Sequence, residues 1–184
     1  DVKEALQTAA TISPQLTQAG ALGAMARARV QAGDMAGALQ IATTIPDKYL
    51  KDSALGGIVY AQARAGDVKG ALQTAAMISN EVIKAGTLPR IAVAQTKAGA
   101  HAAAAETFSQ ILQLAAAMSH MPTRARLLEK IAEAQATVGD IREALQTTAT
   151  ISDQGAQASA LRAIAEAQAK ASDTKGALKT AGMI

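Results

Sequence analysis

The chain has 184 residues, no Cys and a formal net charge of +3, and its residues are 49% hydrophobic but only 2% aromatic. Without Cys there is no disulfide, thiolate metal site or Cys nucleophile. Lys and Arg outnumber Asp and Glu by only 9 to 7 in residues 1–92 and 9 to 8 in residues 93–184, so no basic block marks a polyanion-binding arm.

The apolar set is mostly Ala with scattered Leu, Ile and Met, and Ala, Leu, Gln, Lys and Glu are the strongest helix formers. Such thin side chains suit closely approaching helices. One stretch recurs: Gly66-Asp-Val-Lys-Gly-Ala-Leu-Gln-Thr-Ala-Ala-Met-Ile78 has close copies beginning at Asp1, Gly33, Gly139 and Ser172, and a degraded one at Gly99. Aligned on the residue after the Gly, the copies are marked by Asp1, Asp34, Asp67, Ala100, Asp140 and Asp173, with spacings of 33, 33, 33, 40 and 33. A fixed period in this range is the signature of stacked αα-hairpins.

In chain order, each marker is preceded by a helix, A, carrying Leu22, Leu55, Leu88, Leu128 or Leu161, with Met25, Ile58, Ile91, Ile131 or Ile164 three residues on. That spacing makes one buried stripe. The A helices are expected over about 15–32, 48–65, 82–98, 123–138 and 154–171, started by Ser13-Pro14, Pro46-Asp47, Ser79-Asn80, Thr123 and Ser152-Asp153. Gly33, Gly66, Gly99 and Gly139 end them in a left-handed residue, and the next Asp caps a short helix, B. Asp1 with Glu4, and Asp140 with Glu143, have the spacing of a capping box. The B stripe is Ala38, Leu39, Ala42 and Ile45, repeated as Ala71, Leu72, Ala75 and Ile78. The pattern predicts an all-α fold of about eleven helices, a single array over 1–184, both ends of which stop in helix B. Uncapped ends are expected of a segment cut from a longer array, or of end-to-end self-association.

The repeat near 87–127 departs from the others. It carries seven extra residues between Ile111 and Leu128, has lost its capping Asp, and holds Phe108, the one Phe in the chain. Seven residues is close to two helical turns, so helix B is expected to run on to about Met118, with a loop over 119–122. The insertion is then either a tolerated one with local repacking or a protruding apolar ridge, marked by Phe108, Met118 and Met121, that docks a partner.

The string Gly-Asp-x-x-x-Ala-Leu-x-x-Ala-x-x-Ile resembles the second half of a tetratricopeptide repeat, and Leu161 to Gln168 resembles its first helix. The ending also resembles a pentatricopeptide repeat. The aromatics usual in helix A and the Pro usual at the repeat end are missing. The resemblance implies a right-handed superhelical solenoid with the A helices lining a concave face. It selects Arg27, Gln31, Tyr60, Arg64, Arg90 and Lys97 there, and Glu129, Glu133, Arg162, Glu166 and Lys170 further on. The first set is basic and implies a clamp for an acidic peptide. A pentatricopeptide array would bind single-stranded RNA instead, but the implied base-reading positions are Ala24, Gly57, Arg90, Lys130 and Ala163, which spell no hydrogen-bonding code.

Gln62, Gln95, Gln135 and Gln168 recur once per repeat, with Arg29 in the first, and are expected to ladder between successive A helices. Thr74, Thr147 and Thr180 read as packing residues. Glu133 and Glu166 each sit near a base and read as salt-bridged surface groups. His101 and His120 share no ligand spacing, and no phosphate loop or nucleophile with its base is present, so no cofactor, metal or enzyme activity is expected. No apolar run has the length of a membrane span and no signal peptide is recognisable, so a soluble protein is expected. The function read from the sequence is a protein- or peptide-binding scaffold, with RNA binding or an architectural spacer as alternatives.

Overall fold

The computed structural model describes residues 3, 4, 7 and 15–184. The helix expected over the first dozen residues, with its Asp1–Glu4 cap, and the Ser13-Pro14 start lie outside the described residues, except for Lys3, Glu4 and Gln7, which are helical. Elsewhere every regular element among the described residues is a helix: α1 (Gln15–Gln31), α2 (Met35–Thr44), α3 (Lys48–Arg64), α4 (Val68–Ala76), α5 (Glu81–Lys97), α6 (His101–Ala117), α7 (Met121–Thr137), α8 (Ile141–Ala149), α9 (Gln154–Lys170) and α10 (Thr174–Ala181). The A helices α1, α3, α5, α7 and α9 are each 17 residues long. The B helices α2, α4, α8 and α10 have 8–10 residues, and α6 has 17.

The helices fall into two compact units, Asp1–Thr87 and Leu88–Ile184, divided inside α5. In the first unit α1 packs on α2 and α3, α2 on α3, and α3 on α4. In the second, α7 packs on α6, α8 and α9, and α9 packs on α8 and α10.

The A helices end alike because the same two backbone bonds close each of them. Gly33, Gly66, Gly99 and Gly139 have φ of 78°, 80°, 79° and 91°. The amide of the following residue donates to the carbonyl five residues back, at 2.8–2.9 Å in each turn. This satisfies carbonyls that the helix end leaves open, and it requires a left-handed residue, which Gly supplies without a Cβ clash. In the last repeat Ser172 holds the same conformation at φ 64°.

The expected A stripe is the core. Leu55, Ile58, Ile91, Ile131 and Ile164 are fully buried, and Leu22, Leu128 and Leu161 nearly so. On the B helices Ala71, Ala75 and Ile78 are buried as expected, but Leu72 is 42% exposed. Its place on the inner stripe is taken by Thr74, which is buried.

The Thr at this position explains the recurrent Gln in three of the repeats. Gln95, Gln135 and Gln168 do not ladder between A helices. Each reaches from the last turn of its A helix to the following B helix, where Oε1 accepts from the hydroxyl of Thr107 at 2.9 Å, Thr147 at 2.8 Å and Thr180 at 2.7 Å. The other end of Gln168 donates from Nε2 to the capping carboxylate of Asp173 at 3.3 Å. One side chain therefore ties the end of an A helix to both the cap and the body of its B helix. Arg29 reaches the equivalent Asp34 at 3.2 Å. A guanidinium cannot accept from a hydroxyl, and the position of the Thr is taken there by the buried apolar Ile41. In the remaining repeat Gln62 Oε1 lies buried without a hydrogen-bond partner.

Removing the Thr hydroxyl while leaving the Gln strands a buried acceptor. Thr147→Val should cost about 1–3 kcal/mol in denaturant unfolding, and Thr147→Val combined with Gln135→Met should recover most of that loss. Additive losses would show that the pair is not coupled.

Candidate functional site

The irregular repeat gains its length inside α6. Ile78 is followed directly by Ser79-Asn80, and Ile151 by Ser152-Asp153, whereas seven residues separate Ile111 from Ser119-His120. These residues continue the helix to Ala117, with Met118 extended beyond it. Ala100 precedes α6 and makes no side-chain cap bond. The next helix starts earlier than expected, because the residue that caps it is His120 and not Thr123. His120 Nδ1 accepts from the Thr123 amide at 3.3 Å and lies 2.7 Å from the Thr123 hydroxyl.

The lengthened helix carries two apolar stripes. Ala104, Thr107, Phe108, Ile111 and Ala115 form the buried one, which keeps a helical period into the added turns. The second, Ala105, Leu112 and Ala116, lines a groove with a volume of about 490 Å³. Two features of the sequence open it. The added turns of α6 have no counterpart in α8, which has 9 residues. Ala105 also stands where the other B helices carry Leu39, Leu72, Leu145 and Leu178. The feature is thus a hollow and not a protruding ridge. Phe108, expected on the ridge, is only 6% exposed and forms part of the wall. Met118 is half-buried and Met121 is 51% exposed, and neither lines the groove.

Asp140 and Glu143 also line the groove. They do not form the expected capping box, because the Asp140 side chain caps nothing. The other Asp markers differ. Asp34, Asp67 and Asp173 each accept the amide of a Gly three residues on, at 2.8–2.9 Å. In those turns the carboxylate fills the space a Cβ would need: one built on Gly37, Gly70 or Gly176 falls 2.0–2.2 Å from an Asp oxygen. At Asp140 the residue three on is Glu143, and the carboxylate makes no cap bond. A Cβ there does not by itself prevent capping, since Asp47 accepts from the Leu50 amide at 2.7 Å and Asp153 from the Ala156 amide at 2.8 Å. Glu143 instead accepts from Arg142 Nη2 at 2.8 Å and Nε at 3.1 Å. That hydrogen bond, with one from its own amide and the Arg142 charge, holds the Glu143 carboxyl below the usual carboxylate range.

The other candidates divide between the two units. Arg27 on α1 and Tyr60 and Arg64 on α3 belong to the first, and Arg90 and Lys97 on α5 to the second; all five are exposed. Arg27 and Tyr60 lie 33 residues apart, at equivalent positions of helices that pack together. Glu133 pairs with Lys130 at 2.7 Å and Glu166 with Arg162 at 3.9 Å, as surface groups. Among the described residues no group of three or more His, Asp and Glu is placed to hold a metal, and no helix is long and apolar enough to cross a membrane. Large apolar residues are exposed on and just after α10, where Leu178, Met183 and Ile184 face solvent.

Sequence reasoning missed Asp52. It is 1% exposed on α3 and accepts three hydrogen bonds from the link before α5: Ser79 N–H at 3.2 Å, Ser79 hydroxyl at 2.9 Å and Asn80 N–H at 2.7 Å. The signal was available, since the matching positions are Ala19, Ala85, Ala125 and Ala158. A lone carboxylate in a column of Ala needs a buried partner. Burial would raise its pKa. The Ser79 and Asn80 bonds and the charge of Lys48 outweigh burial and hold the carboxyl below its ordinary value. Asp52 thus clamps the linker before α5.

The chain matches no protein-family model, and no curated protein matches it.

Because the folded-state pKa of Asp52 is lowered, the stabilisation is complete above the unfolded-state pKa of about 3.9 and is lost as pH falls through the folded value. Asp52→Asn should cost about 1.5–3 kcal/mol at pH 7, and its deficit against the parent protein should shrink on stepping to pH 3. A deficit that does not change with pH would place the stabilisation elsewhere.

Proposed function

We propose that the chain is a non-enzymatic protein- or peptide-binding scaffold, a solenoid of tetratricopeptide-like helix pairs whose binding site is the groove beside α6. The array reading is supported by A helices of constant length, by one turn geometry repeated at a 33-residue period, and by a seam of Ile45, Ile78, Ile111 and Ile151, all buried. The observation that carries the function is the groove itself. Its volume of about 490 Å³ lies within the range of sites that hold a ligand group. It occurs in the one repeat whose length breaks the period, where added turns of helix make a surface that packing alone does not require.

Single-stranded RNA fits this groove poorly. Two carboxylates line it and oppose a phosphate chain, and Phe108 is too buried to offer a stacking face.

Deleting residues 112–118 joins Ile111 to Ser119 and restores the Ile-Ser junction of the regular repeats. The shortened protein should keep a helical circular-dichroism spectrum and a cooperative unfolding transition, yet lose the proteins that the parent retains in a nuclease-treated pull-down. Capture that survives the deletion, or that disappears on nuclease treatment alone, contradicts the proposal.

A further inference from the structure

Resting on the reading of the groove as a protein-binding site, we infer that its occupant is a segment bearing a large apolar side chain beside a Lys or Arg, the apolar group seated against α6 and the cation held by Asp140 and Glu143.

The apolar half follows from the lining. Ala105, Phe108, Leu112 and Ala116 present hydrocarbon, and Ala105 stands where the regular repeats carry the larger Leu. The charge half follows from the displaced cap. Asp34, Asp67 and Asp173 spend their carboxylates on a helix amide. Asp140 makes no such bond, and both it and Glu143 line the groove. Two carboxylates exceed the roughly half positive charge of a helix N-terminus. Arg142 offsets them only from the surface, since its side chain is 82% exposed, and such pairs are weak and screened. A chain with a net charge of +3 thus carries a local acidic site next to an apolar hollow, which complements a cationic-apolar segment and repels an acidic one.

The test uses the whole chain and a display library of random twelve-residue peptides, with selected peptides labelled and titrated by fluorescence anisotropy. Ala105→Leu introduces the residue that regular repeats carry, so it should fold while filling the groove. The expected result has three parts. Selected peptides pair Lys or Arg with a neighbouring Leu, Ile, Met or Phe. Ala105→Leu abolishes their binding. The double variant Asp140→Asn, Glu143→Gln weakens it roughly tenfold but leaves peptides with Gln in place of the cation unchanged. If Ala105→Leu abolishes binding while the charge variant binds as tightly as the parent, the cation inference is overturned and the groove reading stands. If binding survives Ala105→Leu, the groove reading fails and the inference with it. Preferential binding of a single-stranded RNA oligonucleotide overturns both.

Discussion

The hydrogen bonds at the end of each A helix are the constraint from which the rest follows. A 17-residue helix must stop and reverse within about three residues, leaving carbonyls on one side of the turn and amides on the other without helical partners. The left-handed residue answers the carbonyls in every turn, and Asp34, Asp67 and Asp173 answer the amides. Gln95, Gln135 and Gln168 add a bond that neither cap supplies, by holding the two helices together through the Thr hydroxyl. Backbone and side chain thus specify the same turn, and four of the five spacings are 33 residues although much of the surrounding sequence is Ala. An apolar core of small side chains gains little per residue, and a buried polar pair that is costly to break adds definition where hydrophobic burial is thin.

The irregular repeat keeps this turn and changes what surrounds it. Gln95 still bonds Thr107, and Gly99 still holds the left-handed conformation. What differs is the length of the following helix, one side chain reduced to Ala105, and a neighbouring Asp140 whose carboxylate caps nothing. Each change taken alone would be a minor variation on the repeat. Together they leave a hollow with hydrocarbon walls and an acidic edge. The tightness of the other turns gives this local failure of the pattern its meaning, since Asp caps its helix in each turn where Gly stands three residues on.

Much of the fold was legible in the sequence because helix ends carry strong local chemistry. The Gly of each turn marked the end of its A helix, and the Leu and Ile columns named the core. What was not legible depends on which side chain meets which across a turn. Thr74 and Leu72 are two residues apart, and composition favours Leu as the inner one, yet it is the Thr that turns inward, toward the Gln side of the turn. The signal was a paired absence, since the repeat with Arg29 in place of Gln also lacks the Thr. The cap at Asp140 was misread because a sequence motif counts spacing alone, whereas the Glu143 carboxylate turns to Arg142 and the Asp140 side chain caps nothing. The site was legible as an interruption of the period but not as a hollow. Whether Phe108 faced out or in depended on the register of a lengthened helix, and a one-residue change moves a side chain about 100° around the axis.

α6 presents one stripe to the core and a second to an open groove. Methyl-resolved NMR of the intact chain in the presence of a soluble nitroxide tests this arrangement. The methyls of Ala105, Leu112 and Ala116 should broaden while those of Ile111 and Ala115 stay sharp. Equal protection of both sets would mean that the groove is closed in solution and that the second stripe is packed.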